Sequence, residues 1–316
     1  MKKTVVHIPH QPMLDYSSKV VFLGSCFSEN LSKKMKESGF SAETNPFGVI
    51  FNPISIANLV LSSEEEIETS VFFKDDVALS WLANSTCFTY SKRELVADLI
   101  EKRRQLLTSF GNLDVLFVTF GTAWAYEHKS TGKLVANCHK VDNKEFEKRF
   151  LSLSEIEKTW SRLIKEIQSI NNNKNFRIVF TLSPVRHTKD GLVENSRSKA
   201  LLLTAIHNLV ERFPQVEYFP AYELLIDELR DYAFYEKDGI HPNEIAIDKV
   251  WECFKETYFH SSALDVLKEL EDLKKLLSHR PLHAESKESK SFELKKLEKM
   301  KAFETKYPFF KGKLRG

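Results

Sequence analysis

Two short motifs, more than two hundred residues apart, carry the residue types of a serine hydrolase. The first, at residues 24–27, is Gly-Ser-Cys-Phe, and the second, at residues 238–242, is Asp-Gly-Ile-His-Pro. In the pattern Asp-x-x-His, the carboxylate can orient the imidazole so that it accepts the proton of a serine hydroxyl. We therefore take Ser25 as the candidate nucleophile, His241 as the candidate base and Asp238 as the partner of that base.

The surroundings of Ser25 are typical of a turn between a strand and a helix. Residues 20–23 are apolar and predict a buried strand, Gly24 permits a sharp exit, and residues 30–35 predict the first turns of a helix. A serine at such a turn lies beside helix N-terminal N–H groups, which can stabilise an oxyanion. The same position also suits a helix N-cap. Cys26 remains an alternative nucleophile or a small buried residue.

Seven sequence motifs, in order along residues 4–258, resemble the GSCFA domain family of SGNH/GDSL-type hydrolases. They are GSCF at 24–27 followed by Ser28 in place of Ala, NPFG at 45–48 with FNP at 51–53, FGTAW at 120–124, NCHKV at 137–141, SPVRH at 183–187, YFPAYE at 218–223 and DGIHP at 238–242. The resemblance implies an SGNH-type site with Ser25 as nucleophile, His241 as base and Asp238 as its partner.

The oxyanion-stabilising motifs of SGNH hydrolases are incomplete in this sequence. Their third block is Gly-x-Asn, whereas residues 121–123 are Gly-Thr-Ala. The hydroxyl of Thr122 can replace the missing amide as an oxyanion donor, or the loop with Asn45 and Gly48 can supply one. Gly121 and the backbone N–H of Ser25 are the other candidate donors. Loss of one such donor lowers the rate about a hundred- to a thousand-fold.

Three further residues are candidates for binding a substrate. Arg186 and His187 follow a predicted strand at residues 177–182 and can bind a negatively charged or carbonyl group. His187 is also a rival base, because Asp190 follows three residues later. Arg186 can instead pair with a surface carboxylate. His139 can lie in a loop that covers the pocket, or it can be a histidine that packs within its loop. The sequence favours these two interpretations equally.

The order of predicted elements favours an α/β fold. Strands are predicted at residues 20–23, 114–119, 177–182 and 216–219, and helices at residues 29–38, 54–61, 91–107, 153–170, 196–212, 221–228 and 244–258. This alternation predicts a three-layer α/β/α sandwich with a mainly parallel sheet, of the SGNH or flavodoxin-like kind. Ligands bind beyond the carboxyl ends of such strands, where the motifs at 25, 121–122 and 183–187 lie.

A change of composition divides the chain into a predicted α/β domain at residues 1–260 and a charged helical extension at residues 261–316. In the extension, residues 264–277 and 292–307 have helical patterns, residues 279–291 form a polar break, and residues 307–310 are an aromatic cluster that can dock on the domain. A helical hairpin with solvated charged faces is favoured over a partner-binding arm or a lid. Asn195 and Lys199, one helical turn apart, are expected to serve as a cap or to lie on the solvated surface.

Composition excludes several classes of function. The net charge of +2 gives no electrostatic reason to expect nucleic acid, no stretch reaches the length of a membrane span, and no secretory signal is recognisable, so a cytoplasmic location is expected. The four cysteines are scattered, which predicts separate thiols and no metal site, and no cofactor is expected.

These observations lead to two hypotheses of different classes. The first is an esterase that acts on a small-molecule or carbohydrate ester, such as an O-acetylated sugar by analogy with the SGNH hydrolases, or that transfers the acyl group to an alcohol. The second is a module of the same fold that binds a ligand through Arg186, His187 and His139 without turnover. The Ser25, Asp238 and His241 set favours the enzyme.

Overall fold

A computed structural model describes residues 4–279, 287–312 and 314. The strands are β1 (Val20–Gly24), β2 (Ala42–Thr44), β3 (Val71–Lys74), β4 (Val77–Ser80), β5 (Val115–Phe120), β6 (Trp124–His128), β7 (Lys133–Val135), β8 (Phe146–Phe150), β9 (Arg177–Leu182) and β10 (Val216–Tyr218). The helices are α1 (Cys26–Glu37), α2 (Pro53–Leu61), α3 (Glu64–Ser70), α4 (Lys92–Phe110), α5 (Leu153–Ile170), α6 (Gly191–Arg212), α7 (Ala221–Glu223), α8 (Glu244–Tyr258), α9 (Ser261–Ser278) and α10 (Lys287–Lys306).

The central sheet is parallel throughout, with strand order β10-β9-β5-β1-β2. Its strands β1 and β5 are buried along their whole length, because helices cover both faces. Side chains such as Leu23 and Val118 pack under α2, α4, α5 and α6, whereas Phe22 and Phe117 pack under α1, α8 and α9. The predicted α/β/α sandwich with a parallel sheet is therefore confirmed.

Most predicted elements are present, with shifted ends. Each of the four predicted strands and each predicted helix has a counterpart, although the segment predicted as a helix at residues 221–228 consists of α7 followed by a π-helical turn, Leu224–Leu229. Helix α1 begins at Cys26 and not at residue 29, because Ser25 caps it. The edge strand β2 and the small antiparallel sheets β3-β4 and β7-β6-β8 were not predicted, since their strands are short and partly exposed.

The C-terminal helices pack against the core of the α/β fold. Leu267 and Leu270 of α9 and Phe303 of α10 are buried in the core that α1 and α8 cover. Phe310 packs against Tyr16 and beside Gly39, where an added Cβ would overlap its ring. The aromatic cluster thus contacts the body as expected. Helix α10 begins at Lys287, so residues 287–291 are helical and not part of a polar break, whereas residues 280–286 lie outside the described residues. The boundary at residue 260 stays a prediction.

Two kinds of feature are absent from residues 4–279, 287–312 and 314. None of the helices there combines the length and the apolar character that crossing a membrane requires. The same residues contain no group of three or more His, Cys, Asp or Glu side chains arranged to hold a metal ion.

The junction of β1 and α1 depends on a glycine. Gly24 has φ +120°, and a Cβ at this position would overlap the carbonyl oxygen of Thr119 in the paired strand β5. Side chains rarely adopt this backbone conformation, and the neighbour is backbone, which cannot move aside easily. Only glycine therefore allows β1 to stay paired with β5 up to the turn that holds Ser25.

Gly24→Ala should lower the free energy of unfolding by about 2–6 kcal/mol, since strain at positive φ and overpacking each cost about 1–3 kcal/mol. Gly132→Ala is the matched control, because Gly132 also has positive φ, at +64°, but has open space where a Cβ would be. We expect a loss of about 1 kcal/mol there, measured by urea unfolding of both variants. Equal losses at the two positions would show that the contact with Thr119 is unimportant.

Candidate active site

Ser25 forms the turn between β1 and α1. Its backbone is extended, with φ −72° and ψ 172°, and its Oγ accepts a hydrogen bond from the N–H of Phe27 at 3.3 Å, as an N-cap does. Ser25 is only 1% exposed. In the described part of the chain, no group accepts a hydrogen bond from its hydroxyl, so the proton of Oγ is uncommitted.

Cys26 is the first residue of α1 and is partly exposed. Burial raises the pKa of its thiol, which therefore stays protonated at neutral pH. The backbone N–H of Cys26 makes no hydrogen bond to a described residue, as expected for the first turn of a helix. It is a free donor directly after the candidate nucleophile.

Asp238 and His241 form a tight pair. His241 Nδ1 lies 2.7 Å from Asp238 Oδ2, and the other carboxylate oxygen accepts the N–H groups of Ile240 and His241 at 2.8 and 3.0 Å. The bond to the His241 side chain, followed by those two backbone bonds, lowers the pKa of Asp238 to about 2. The carboxylate is therefore ionised at neutral pH and favours the tautomer of His241 that carries its proton on Nδ1.

Arg186 ties this loop to the carboxyl end of β9. Its backbone N–H donates to the carbonyl of Ile240 at 3.3 Å, and its guanidinium carbon lies 4.4 Å from the centre of the Tyr235 ring and 5.2 Å from that of Tyr232. Such stacking of a cation on aromatic rings stabilises a surface site by about 0.5–1 kcal/mol. The contacts of Arg186 thus hold the His241 loop, whereas a contact with substrate stays a prediction.

Ser25 and His241 are not joined by a hydrogen bond among the described residues. The His241 side chain is 52% exposed, whereas Ser25 is 1% exposed. Ser25 and the Asp238–His241 pair therefore belong to the same edge of the sheet but are not hydrogen-bonded to each other. Catalytic hydrogen bonds of unliganded enzymes are often long and tighten only when substrate binds.

The expected oxyanion donors Gly121 and Thr122 are already engaged. Both backbone N–H groups donate to the carbonyl of Phe51, at 2.8 and 3.2 Å. The Thr122 hydroxyl oxygen accepts the N–H of Trp124 at 3.1 Å and contacts the hydroxyl of Ser198. These bonds fix the chain that leaves β5, and they leave no backbone donor of this segment free for an oxyanion.

Asn45 carries the free donor that the Gly-Thr-Ala segment lacks. Its Oδ1 accepts the N–H of Gly24 at 2.8 Å, which holds the amide beside the Ser25 turn. Its Nδ2 is buried and has no hydrogen-bond partner among the described groups. By contrast, the N–H of Ser25 donates to the carbonyl of Thr119 and that of Gly48 to the carbonyl of Asn45. A buried N–H without a partner is rare in native proteins, which makes the Asn45 amide a strong candidate for a ligand contact.

His187 forms a second, looser pair with a carboxylate. Its Nδ1 lies 3.8 Å from Asp190 Oδ2, and both atoms are buried and without a hydrogen bond among the described groups. Asp190 also pairs with Lys148. The backbone N–H of His187 donates to Asn195 Oδ1 at 2.9 Å, so Asn195 is a buried loop anchor and the expected solvated position is wrong. Burial lowers the pKa of His187.

His139 is packed into the loop around β4. Its Nε2 lies 2.8 Å from the carbonyl oxygen of Ser80, and its Nδ1 lies 2.9 Å from the hydroxyl of Ser85. The ring makes an edge-to-face contact with Phe72 and a tilted contact with Trp81, and burial lowers its pKa. Both ring nitrogens therefore have partners within the protein, which are the contacts of a packed loop histidine.

Lys199 is buried at this edge of the sheet, in contrast to the expectation from the sequence. Its Nζ donates to the carbonyl oxygens of Gly121 at 2.7 Å and Ser183 at 2.6 Å, and the residue is 3% exposed. Burial lowers its pKa to about 7. The expected place on the solvated surface is wrong. Helical periodicity in the sequence could have indicated that Lys199 is buried. Residues 195, 198, 199, 202, 205, 206 and 209 share the buried face of α6.

The fold and this edge define a doubly wound α/β protein with a serine at a strand–helix turn and an Asp–His pair on a neighbouring loop. The sequence model of the GSCFA family matches residues 19–254, and the chain belongs to the GSCFA family. No curated protein sequence matches it significantly. Among solved structures, the chain is similar to a Clostridium thermocellum family 3 carbohydrate esterase, with 12% identity and a TM-score of 0.32. That alignment covers 80% of this chain and 98% of the esterase.

The stability of the protein should depend on pH through Lys199. Its pKa is about 7 in the folded state and ordinary, 10.5, when exposed, so between these values the unfolded chain binds more protons and the unfolding free energy rises with pH. Below pH 7 the burial of a charge opposes folding in full. Relative to Lys199→Met, the wild type should gain about 2 kcal/mol between pH 7 and pH 9. Urea unfolding at both pH values measures the difference.

Lys165→Met on α5 is the control, because Lys165 is exposed and its removal should leave the pH dependence unchanged. If wild type and Lys199→Met differ by the same amount at pH 7 and pH 9, the amine has an ordinary pKa in the folded protein.

Proposed function

We propose that this protein is a serine esterase of the SGNH type, with Ser25 as nucleophile, His241 as base and Asp238 as the partner of the base. The observation that carries the proposal is the hydrogen bond between Asp238 and His241, on a loop that Arg186 anchors at the carboxyl edge where Ser25 lies. His241 Nε2 makes no hydrogen bond to any described residue, so it is free to accept a proton.

The reaction follows from the roles of these groups. His241 Nε2 takes the proton of Ser25 Oγ while Oγ attacks the ester carbonyl carbon, whose oxygen becomes negatively charged. The protonated imidazole then gives its proton to the departing alcohol, and an acyl-Ser25 ester remains. Water attacks this ester with His241 again acting as base, and the carboxylic acid leaves. The ionised Asp238 stabilises the imidazolium in both halves of the cycle.

Two donors beside Ser25 are suited to the oxyanion. The Asn45 Nδ2 group is buried without a partner next to Gly24, and the N–H of Cys26 is free at the start of α1. The amide of the residue after the nucleophile serves this purpose in α/β-hydrolases. In this proposal Asn45 substitutes for the Asn that is absent from the Gly121-Thr122-Ala123 segment.

Substrate binding has to bring the two halves of the triad together. Ser25 is almost fully covered, and the His241 ring is half exposed, so proton transfer requires the loop with Asp238 and His241 to close over the turn. Loop closures of this kind occur on the microsecond to millisecond timescale. The close packing at Ser25 favours a small acyl group, such as an O-acetyl group on a carbohydrate. An alcohol in place of water would turn hydrolysis into acyl transfer.

A ligand-binding module is the second candidate function, and the almost complete burial of Ser25 favours it. A cavity of about 770 Å³, lined in part by Trp81, Leu134 and Arg149, lies apart from the Ser25 turn. A cavity of that size with both apolar and charged lining residues suits a small molecule. In this alternative, the Asp238–His241 loop has a structural role and Ser25 serves as an N-cap only.

Ser25→Ala should abolish turnover of short-chain p-nitrophenyl esters and labelling by a fluorophosphonate probe, because both reactions need the Ser25 oxygen as nucleophile. The fold should persist, although loss of the N-cap costs about 1 kcal/mol of stability. Cys26→Ala is the matched control and should keep at least about half of the activity, because truncating one partly buried thiol removes little packing.

Turnover that survives in Ser25→Ala and disappears in Cys26→Ala would transfer the role of nucleophile to the thiol. A folded wild-type protein that neither turns over these esters nor reacts with the probe would favour the binding module.

Asn45→Asp should lower kcat about a hundred- to a thousand-fold, because it removes the Nδ2 donor and keeps the Oδ1 acceptor that holds the N–H of Gly24. Asp tolerates the positive φ of 40° at this position nearly as well as Asn. The Michaelis constant should change little, since the donor acts on the charge of the transition state. A folded variant with unchanged kcat would remove Asn45 from the mechanism.

A further inference from the structure

Lys199 is a buried amine at the edge of the sheet that the proposed mechanism does not use. It extends from α6 and spans the ends of two strands, since its Nζ binds the carbonyl of Gly121 after β5 and that of Ser183 after β9. A lysine is almost never fully buried unless it is paired with a negative charge. Here both partners are neutral carbonyls, and no ion pair of Lys199 is present among the described residues.

Counting donors shows which form of the amine this environment suits. A neutral amine has two N–H groups, and the carbonyls of Gly121 and Ser183 accept both. An ammonium group has three N–H groups, and no third acceptor lies within hydrogen-bond distance in the described part of the chain. The third N–H would then be buried without a partner, which destabilises the charged form. A negative charge arriving beside Nζ would reverse this preference.

No carboxylate of the described residues pairs directly with the Lys199 amine, since Glu29 acts on Cys26 and Asp190 on His187. The amine lies near the Ser25–Cys26 turn, because the Gly121 carbonyl that it binds is two residues after Thr119, whose carbonyl accepts the N–H of Ser25. The titratable groups around it include the thiol of Cys26 and the imidazole of His187. Burial raises the pKa of Cys26, which Glu29 raises further, so the thiol is neutral. His187 is either neutral or positive, with Asp190 and Lys148 as its own charged neighbours. A counter-charge for the ammonium therefore has to come from a bound or reacting molecule.

We propose that Lys199 is a charge-compensating residue of the Ser25 site, which takes up a proton from solvent when a negative charge forms or binds at the Ser25–Cys26 turn. Its third N–H then points to that charge, while the other two stay on the carbonyls of Gly121 and Ser183. The oxyanion of an ester intermediate, a carboxylate product and a phosphonyl adduct all have the required charge. The proton returns to solvent when the charge leaves. Only the identification of the charge as an ester oxyanion rests on the proposed function.

The competing explanation is that Lys199 is a structural clamp for the ends of β5 and β9. A clamp needs two N–H groups in every state and has no relation to charge at residue 25. The two explanations therefore differ in one measurable quantity, which is the response of the Lys199 pKa to a negative charge placed at the turn.

A fixed carboxylate at the turn tests this response without any enzymatic activity. The full chain is prepared with 13C-labelled lysine, and the Cε resonance of Lys199 is assigned by its absence from Lys199→Met. In the wild type and in Ser25→Asn, the resonance should titrate with a midpoint of about 7. In Ser25→Asp, which has the same shape as Ser25→Asn and is also a good N-cap, the midpoint should rise by at least about one pH unit.

A second matched pair covers the case in which the buried Ser25→Asp variant fails to fold. Cys26 is partly exposed at the first position of α1, where Asp is favourable, so Cys26→Asp and Cys26→Asn allow the same comparison. A midpoint that is equal within each folded pair would overturn the proposal and leave Lys199 as a clamp.

Kinetics separate this proposal from the proposed function. If Ser25-dependent turnover is present, Lys199→Met should lower kcat about tenfold or more at neutral pH, because a compensating charge next to the oxyanion is lost. A wild type without turnover but with a raised midpoint in the carboxylate variants would refute the esterase and keep the anion-linked lysine. Ser25-dependent turnover with unchanged midpoints and an unchanged kcat in Lys199→Met would support the esterase and refute the role proposed for Lys199.

Discussion

The close approach of β1 to β5 at Gly24 is the constraint on which the candidate site depends. Because a Cβ would overlap the Thr119 carbonyl oxygen, the chain remains paired until the last residue of the strand and turns into α1 within one residue. The same glycine donates its N–H to Asn45 Oδ1 and accepts the N–H of Ile50 at 3.1 Å. One backbone position thus aligns Ser25, the Asn45 amide and the loop that follows β2.

The polar groups at this edge are arranged in a way that favours negative charge. Most backbone N–H groups that the motifs bring here are committed to carbonyls within the protein, which makes the edge rigid. Two donors beside Ser25 make no hydrogen bond to a described residue, namely the Asn45 amide and the N–H of Cys26. In a buried site with low effective dielectric, donors that are held in place stabilise a developing anion without further reorganisation.

The sequence was sufficient to predict the parts of the fold that local pattern determines. Strands β1, β5 and β9 are apolar along their length, and a parallel sheet necessarily gathers the residues that follow them, including Ser25 and Ser183. The periodicity of α6 indicates that Lys199 is on the buried face, but its acceptors were not predictable, since they come from two other elements and exist only after the sheet has formed. Likewise, whether His241 reaches Ser25 depends on the conformation of a loop, for which no periodicity gives a signal.

The packing of Phe310 beside Gly39 bears on how the chain folds during synthesis. The core that α1 and α8 cover is completed by side chains from α9, α10 and Phe310, whereas α1 itself comes from the beginning of the sequence. On the ribosome, the apolar surface that α9, α10 and Phe310 cover therefore stays exposed until residues more than two hundred positions after α1 have emerged. Contacts of such long sequence separation form slowly, and the exposed face meanwhile is a target for chaperones and for aggregation.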